Sequence, residues 1–421
     1  MIMADKTKNI GRFKRLLFRV MGPALSQWVI RQMLRKKIDG STTSLPADLS
    51  RSAEILFILP ADRIEMIFQM ENLFAIAGRY KDSNLTFVCP AAHAPFVSTL
   101  KNSRLMKFNP AEFSLYGAEF NKLVAELSVK SFDICVSLER RCTLAHLYLI
   151  GLCRAHLRIG WDAGNSYPFL NIRLVASDRE GVSEWERNLE AAKILEADVE
   201  SRPRWGLQKS AAEEVAQILS ENKLKKDPAL ICIDLASLES ACGKEWCAEL
   251  MKALKSASGL GRFCVFGGMD DEGRQPKEAP FPILPPMSVP KTAALISYTD
   301  VVIAGFGPMF GLSQISSKSK AVPILSKSHA AQYCKKNERV MPVVFSEKPG
   351  QDDVKTVIRN VKQILSVNVN ASGSEAADRT ASSASSASSA AAASAAAPSP
   401  SSTAAGQQRP GAAGRGGTAY P

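Results

Sequence analysis

Residues 55–59 read Ile-Leu-Phe-Ile-Leu, a short and wholly apolar run. A run of this length predicts a strand that is buried on both faces, as in parallel sheets. This run is followed by an amphipathic segment at 64–80, a second apolar run at 85–88, a helical segment at 111–128 and a third apolar run at 134–136. Strands that alternate with helices indicate a parallel sheet with crossover helices. Residues 51–205 are therefore expected to form one α/β domain.

The second half of the chain repeats this pattern. Its apolar runs lie at 229–233, 263–266, 301–303 and 322–325, and a helical segment lies at 246–258. Residues 206–365 are therefore expected to form a second α/β domain. Because parallel sheets bind their ligands at the carboxyl ends of the strands, two Rossmann-like domains in series predict a cleft between them.

The two ends of the chain differ in composition from this body. Residues 1–39 carry ten Lys and Arg residues against Asp5 and Asp39, which accounts for most of the net charge of +12. Residues 1–50 are expected to form a basic amphipathic arm and a linker. Residues 366–421 are dominated by Ala, Ser, Pro and Gly and predict a disordered tail.

The arm has two interpretations. Its basic residues and its apolar stripe, which includes Trp28, predict binding to an anionic membrane surface. Alternatively, the same stripe packs against the body of the protein. A nucleic-acid partner is not expected, because only the arm is strongly basic and such proteins carry a basic face within the fold.

Composition also limits the compartment and the metal chemistry. The nine cysteines contain no C-x-x-C pair, and the four histidines show no ligand spacing, so no metal site is expected. The apolar stretch at 16–30 is too short and too polar to span a bilayer, and it lacks a secretory cleavage site. A cytoplasmic protein with reduced thiols, peripheral to the inner membrane face, is the expectation.

Four stretches carry a family resemblance. Residues 55–66 resemble an opening strand with a D-R-I-G-D turn, and Arg158-Ile-Gly-Trp161 with Glu184-Trp-Glu-Arg187 resembles R-I-G-F and H-x-V-E-R segments. Residues 231–246 resemble a strand and loop that end in K-x-W, and residues 295–310 resemble A-D-x-x-V-x-x-D-T-G-P-x-H. In order and spacing, these stretches resemble glycosyltransferase family 9, the heptosyltransferase-like enzymes, from residue 54 to residue 365.

The resemblance implies a fold and an activity. The fold is the GT-B type, with two Rossmann-like parallel-sheet domains that face a cleft. The activity is the inverting transfer of a hexosyl or heptosyl group from a nucleotide-sugar to a lipopolysaccharide-type or other cell-envelope glycan acceptor, without a metal or another cofactor. Inverting transfer needs a base for the acceptor hydroxyl and N–H or cationic groups for the leaving diphosphate.

Six residues are candidates on the donor side, and the resemblance places four of them. Lys244 falls where the family holds the donor phosphates, and Ser240 offers a hydroxyl. The turn Gly307-Pro308 aims the N-terminus of a helix at the diphosphate, where unpaired N–H groups favour an anion. Gly267-Gly268 ends a strand, where backbone approaches a nucleotide.

On the catalytic side the sequence departs from the family. The family's acidic base falls on Met66 and its preceding glycine falls on Glu65, while the Asp and His of D-T-G-P-x-H fall on Gly305 and Phe310. The remaining candidate bases are Asp62 and Glu65, and Asp62 is also a typical helix cap. Two functions stay open: a glycosyltransferase with a relocated base, and an inactive relative that binds a sugar nucleotide or a glycan-assembly partner.

Overall fold

The computed structural model describes residues 28–36, 38, 49, 52–98, 100–162, 166–174, 184–198, 208–224, 229–257, 259–270, 276, 278–316, 319–334 and 339–366. These residues belong to one compact unit that ends at Ser366. Most of the predicted basic arm and the whole tail from residue 367 onward lie outside the described residues.

The first part of the chain forms a sheet of six parallel strands in the order β3-β2-β1-β4-β5-β6. Its strands are β1 (Glu54–Ile58), β2 (Asn84–Pro90), β3 (Ser103–Phe108), β4 (Phe132–Ser137), β5 (Ala155–Trp161) and β6 (Ile172–Leu174). The helices of this part are α1 (28–35), α2 (Arg63–Arg79), α3 (Ala94–Val97), α4 (Ala118–Leu127), α5 (Leu144–Leu152), α6 (Glu184–Asn188) and α7 (Glu190–Ile194).

The second part forms a parallel sheet of five strands in the order β11-β10-β9-β7-β8. Its strands are β7 (Leu230–Asp234), β8 (Arg262–Val265), β9 (Val301–Ala304), β10 (Lys320–Ser326) and β11 (Val343–Phe345). Its helices are α8 (Lys209–Glu221), α9 (Leu235–Cys242), α10 (Lys244–Ser256), α11 (Val289–Tyr298), α12 (Pro308–Ile315), α13 (Lys327–Tyr333) and α14 (351–366).

Two parallel-sheet α/β halves, the predicted fold class, are thus confirmed. The predicted boundary between residues 205 and 206 falls in 199–207, outside the described residues. Helix α4 begins at Ala118 rather than at residue 111, because residues 111–117 form turns in which the N–H of Gly117 donates to the carbonyl of Ser114 at 2.8 Å.

Helix α2 connects the two halves physically. Its cap is Asp62, and eleven of its seventeen residues, from Met66 to Ala77, are buried. A helix that is buried on most of its surface must have partners on both sides. One partner is the first sheet and the other is α12 of the second half, where a Cβ added at Gly311 would lie 2.7 Å from Cγ2 of Ile67.

A buried polar contact joins α2 to a second helix of the first half, α6. The side-chain amide of Gln69 on α2 donates to Oδ1 of Asn188 at 2.9 Å, and the amide of Asn188 donates to the carbonyl of Phe68 at 3.3 Å. Both side chains are almost wholly buried, so each unmade bond would be costly. The contact therefore fixes α6 against the middle of α2.

Candidate functional site

Two loops lie side by side at the carboxyl edge of the first sheet, one after β1 and one after its neighbour β4. Glu139, which is 4% exposed, joins them. The N–H of Ala61 donates to Oε2 of Glu139 at 2.9 Å, and the N–H of Arg141 donates to Oε1 at 2.9 Å. One buried carboxylate therefore holds both loops.

Glu65 lies in the first turn of α2, next to the two loops that Glu139 joins. Its Oε1 accepts the N–H of Arg140 at 3.0 Å. Burial raises the pKa of Glu65 to about 7, and the negative charge of Glu139 is the second cause of that increase. The hydrogen bond from the N–H of Arg140 and the positive charge of its side chain lower the pKa of Glu65, but they do not cancel the increase. A carboxyl group with this pKa exchanges a proton near neutral pH.

Arg140 lies close to the junction of the two halves. Its guanidinium lies over the ring of Trp161, 4.9 Å from the centroid. Burial lowers the pKa of Arg140, the charge of Glu65 opposes that decrease, and the charge of Arg187 adds to it. Arg187 belongs to α6, which contacts α13 of the second half, so Arg140 and Glu65 lie near that junction.

The two candidate bases are in different environments. Oδ1 of Asp62 accepts the N–H of Glu65 at 2.9 Å, which is the bond of a helix N-cap, and Asp62 is exposed. Met66, at the position of the family's base, is fully buried in the core. Glu65 is partly buried and its pKa is raised, whereas Asp62 is exposed and engaged as the helix cap. Glu65 is therefore the better candidate base.

A cavity of about 700 Å³ opens at the ends of β1, β2 and β3, next to the first turn of α2. Its charged lining residues are Asp62, Arg63, Lys107 and Glu119, two of each sign. His93 also lines it, and burial lowers the pKa of His93 to about 4, so this imidazole is neutral at pH 7. The charged side chains that line the cavity therefore balance one another.

On the second half, the turn Gly307-Pro308 begins α12 as expected. The start of α9 packs against this turn. The hydroxyl of Ser237 accepts the N–H of Gly305 at 2.9 Å, and a Cβ added at Gly307 would lie 3.9 Å from Oδ2 of Asp234. A buried acidic side chain therefore lies beside the helix start to which the resemblance assigns a diphosphate.

The replaced positions of the D-T-G-P-x-H segment have structural roles. A Cβ at Gly305 would lie 2.6 Å from the carbonyl oxygen of Ser237, so the backbone of α9 leaves no room for an acidic side chain there. Phe310 is fully buried, and its ring lies 6.3 Å from that of Phe68 on α2. Phe306 stacks on His329 at 4.2 Å. Aromatic packing between the halves occupies the place of the polar motif.

Ser240 and Lys244 are both exposed. The residues after β7 were expected to form a loop, but they form α9, which is capped by Asp234. Lys244 therefore begins α10 one helix beyond the end of β7, after Gly243 with a φ of 87°. The phosphate-binding role of Ser240 and Lys244 stays a prediction.

Gly267 and Gly268 follow β8 after one intervening residue, Phe266. A Cβ at Gly267 would overlap the carbonyl oxygen of Leu284, and Gly268 has a φ of 96°, in the left-handed region that favours glycine. The chain's own geometry is thus sufficient to require both glycines. Their contact with a nucleotide stays a prediction.

Among the described residues, no group of three or more His, Cys, Asp and Glu side chains is arranged to hold a metal ion. All nine cysteines are free thiols, and seven of them are buried. Within the same residues, no helix is long and apolar enough to cross a membrane.

Comparison with solved structures gives the same two-half architecture. A glycosyl transferase of family 9 from Veillonella parvula matches with a TM-score of 0.61 and 14% identity, over 76% of this chain and 98% of that chain. E. coli ADP-heptose LPS heptosyltransferase II matches with a TM-score of 0.57 and 16% identity, over 75% and 99%. This chain has the GT-B fold of those glycosyltransferases.

A third match is the E. coli heptosyltransferase WaaC with ADP-2-deoxy-2-fluoro heptose, at a TM-score of 0.52 and 14% identity, over 73% and 99%. No protein-family model and no curated protein sequence matches this chain. The likeness to these GT-B structures is therefore one of fold.

Four residues of the site were not predicted from the sequence: Glu139, Arg140, Asp234 and Ser237. Glu139 and Asp234 share a signal that could have indicated them, because each is a carboxylate at or just beyond the carboxyl end of a buried strand. That is the edge at which ligands of parallel sheets bind.

Proposed function

We propose that this protein is a divergent member of glycosyltransferase family 9 and acts as a heptosyltransferase-like enzyme. It transfers a sugar from a nucleotide-sugar donor to a lipopolysaccharide-type or other cell-envelope glycan acceptor, with inversion and without a metal. The observation that supports this most directly is the Glu65 carboxyl group, whose pKa of about 7 suits a general base at neutral pH.

In this mechanism Glu65 removes the proton of an acceptor hydroxyl. The hydroxyl oxygen forms a bond to the anomeric carbon, and the bond from that carbon to the diphosphate breaks on the opposite face, so the diphosphate leaves with the electron pair. The acceptor occupies the cavity at the ends of β1 to β3, whose wall includes Asp62 and Arg63, three and two residues before Glu65.

The donor binds on the second half. The start of α12 at Gly307-Pro308 and the Lys244 ammonium stabilise the leaving diphosphate, and Ser240, Gly267 and Gly268 border the nucleotide. WaaC, which has the same fold, was solved with ADP and with an ADP-sugar analogue, which supports a nucleotide-sugar donor for this protein.

One observation supports a second candidate, an inactive protein that binds a sugar nucleotide or a glycan-assembly partner. Met66, at the position of the family's base, is fully buried, and a thioether cannot accept a proton from an acceptor hydroxyl. This candidate predicts no release of nucleotide from any sugar nucleotide.

We also propose that the protein works in the cytoplasm at an anionic membrane surface, to which residues 1–39 attach it. On α1, Ile30 and Leu34 are buried against the body, whereas Trp28 and Met33 are exposed by 57% and 50%. Of the five large hydrophobic side chains exposed among the described residues, two are therefore on this one helix. An exposed Trp beside basic residues is typical of membrane interfaces.

The enzymatic proposal is tested by titrating ADP-, GDP- and UDP-sugars calorimetrically and then measuring nucleotide release with each binder. Glu65→Gln should reduce the rate at least about a hundredfold, the usual contribution of a general base. Asp62→Asn keeps a capping oxygen and should cause a smaller loss, and Glu71→Gln on the same helix should cause none.

Three outcomes would contradict parts of this proposal. A full rate in Glu65→Gln with a large loss in Asp62→Asn would make Asp62 the base. Binding without release by the unaltered protein would favour the inactive candidate. Binding that Lys244→Ala leaves unchanged would remove Lys244 from the donor site, because a charge-assisted bond should cost about 1.5–3 kcal/mol.

A further inference from the structure

Glu139 is a buried carboxylate to which neither the proposed transfer nor the resemblance gives a role. Each of its oxygens accepts a backbone N–H, from Ala61 and from Arg141. Backbone N–H donors favour a charged carboxylate over a neutral carboxyl group. The side chain is therefore built into the fold as a fixed negative charge.

The position of this charge is set by the sheet. Strands β1 and β4 are neighbours and end at the same edge, so the loops that follow them meet there. Glu139 holds the β1 loop through Ala61, and the next residue, Arg140, donates its N–H to Glu65. Two consecutive residues of one loop thus position the start of α2 and its carboxylate.

Several charged or titratable groups face Glu65. Asp62 lies in the loop that leads into α2, and Glu139, Arg140 and Cys142 lie in the loop after β4. Glu139 and Asp62 raise the pKa of Glu65, and Arg140 lowers it. Burial raises the pKa of Cys142 to about 12, so this thiol adds no charge near neutral pH. Among the charges that raise the pKa of Glu65, Glu139 has the largest effect.

We propose that Glu139 is a positioning residue whose fixed negative charge keeps the Glu65 carboxylate basic enough to deprotonate an acceptor hydroxyl near neutral pH. This role rests on the proposed function, since it concerns the base of that reaction. Glu139 touches no reacting atom and acts through Glu65. Of two carboxylates held close together, the one with more N–H donors keeps its charge and makes the other more basic. Glu139 accepts two backbone N–H groups and Glu65 accepts one.

The test is a carbon-13 NMR titration of the full chain labelled at the glutamate carboxyl carbons, without donor or acceptor. The Glu65 signal is assigned by its loss in Glu65→Gln, and its midpoint in the unaltered protein should lie near pH 7. Glu139→Gln should lower the midpoint by about one unit, the effect of removing one close like charge. Glu139→Met is a second neutral variant if the amide prevents folding.

Glu139→Asp keeps the charge and should leave the midpoint within about 0.3 units, which separates charge from loop geometry. In the pH profile of kcat/KM, the acid limb of the neutral variant should move down by the same amount as the NMR midpoint. A midpoint that does not move in either neutral variant, or that Glu139→Asp lowers equally, overturns the proposal. Unchanged turnover in Glu65→Gln would instead contradict the proposed function.

Discussion

At the scale of single residues, Glu65 makes the folded protein less stable at neutral pH. Its pKa is raised from 4.5 to about 7 in the folded chain, mainly by burial. The folded form therefore holds a proton between these pH values that the unfolded chain has released. The stability that this proton contributes is complete below about pH 4.5 and is lost as the pH rises through 7.

This loss gives the first prediction for stability. Glu65→Gln keeps an oxygen for the N–H of Arg140 but cannot ionise, so it should be more stable than the unaltered protein at pH 8 by about 1–3 kcal/mol, after allowance for partial exposure. At pH 4 the two should be nearly equal. Urea unfolding at both pH values measures the difference, and Glu249→Gln at an exposed position of α10 is the control. An equal difference at pH 4 and pH 8 would contradict the raised pKa.

Sequence reasoning named Asp62 and Glu65 but could not choose between them. The choice depends on the bond from the N–H of Glu65 to Asp62, which makes Asp62 a cap, and on the neighbourhood of Glu65. Glu139 is part of that environment, and it accepts the N–H of Ala61, which is 78 residues away along the chain. One sequence does not contain this pairing, because it arises from the order of the strands in the sheet.

At the scale of elements, Arg158 on β5 shows a structural cause for part of the family resemblance. The guanidinium is buried and donates to the carbonyls of Phe169 at 2.9 Å, Ala155 at 3.0 Å and Pro168 at 3.3 Å. The bonds to Phe169 and Pro168 hold the segment before β6 against β5. The arginine of the R-I-G pattern therefore has a role in folding.

The prediction for this element is that Arg158→Lys destabilises the chain by about 2–4 kcal/mol, because an ammonium cannot reach three carbonyls that suit a planar guanidinium. Urea unfolding gives the difference, and Arg104→Lys on the exposed edge strand β3 should change stability by less than about 0.5 kcal/mol. A loss below about 1 kcal/mol in Arg158→Lys would show that the three bonds contribute little.

The elements that the sequence predicted are those with simple apolar patterns, such as β1, β4, β7 and α2. Strand β3 was missed because it is an edge strand, where Arg104 and Lys107 face outward and interrupt the apolar run. Helix α9 was missed because its start depends on the Asp234 cap, which bonds the N–H of Ser237 at 3.2 Å. Because α9 lies between them, Lys244 is not at the end of β7.

At the scale of the whole molecule, α1 changes how membrane attachment must be tested. Ile30 and Leu34 lie in the core, and a Cβ added at Gly151 on α5 would meet Ile38 at 2.7 Å. Deletion of residues 1–39 would therefore damage the fold as well as remove basic charge. A deletion that ends before Trp28 keeps these packed residues and removes six of the ten basic residues of the arm.

The full chain should co-sediment with vesicles of phosphatidylcholine and phosphatidylglycerol, and binding should fall steeply as the salt concentration rises, because charge attraction of about 1 kcal/mol per basic residue is screened. The chain without residues 1–27 should lose most of this binding at unchanged thermal stability. Trp28→Ser with Met33→Ser should weaken it further, whereas Val129→Ser, at an 85% exposed position elsewhere, should not. Full binding by the shortened chain, or equal loss in the Val129 control, would contradict attachment through the arm and α1.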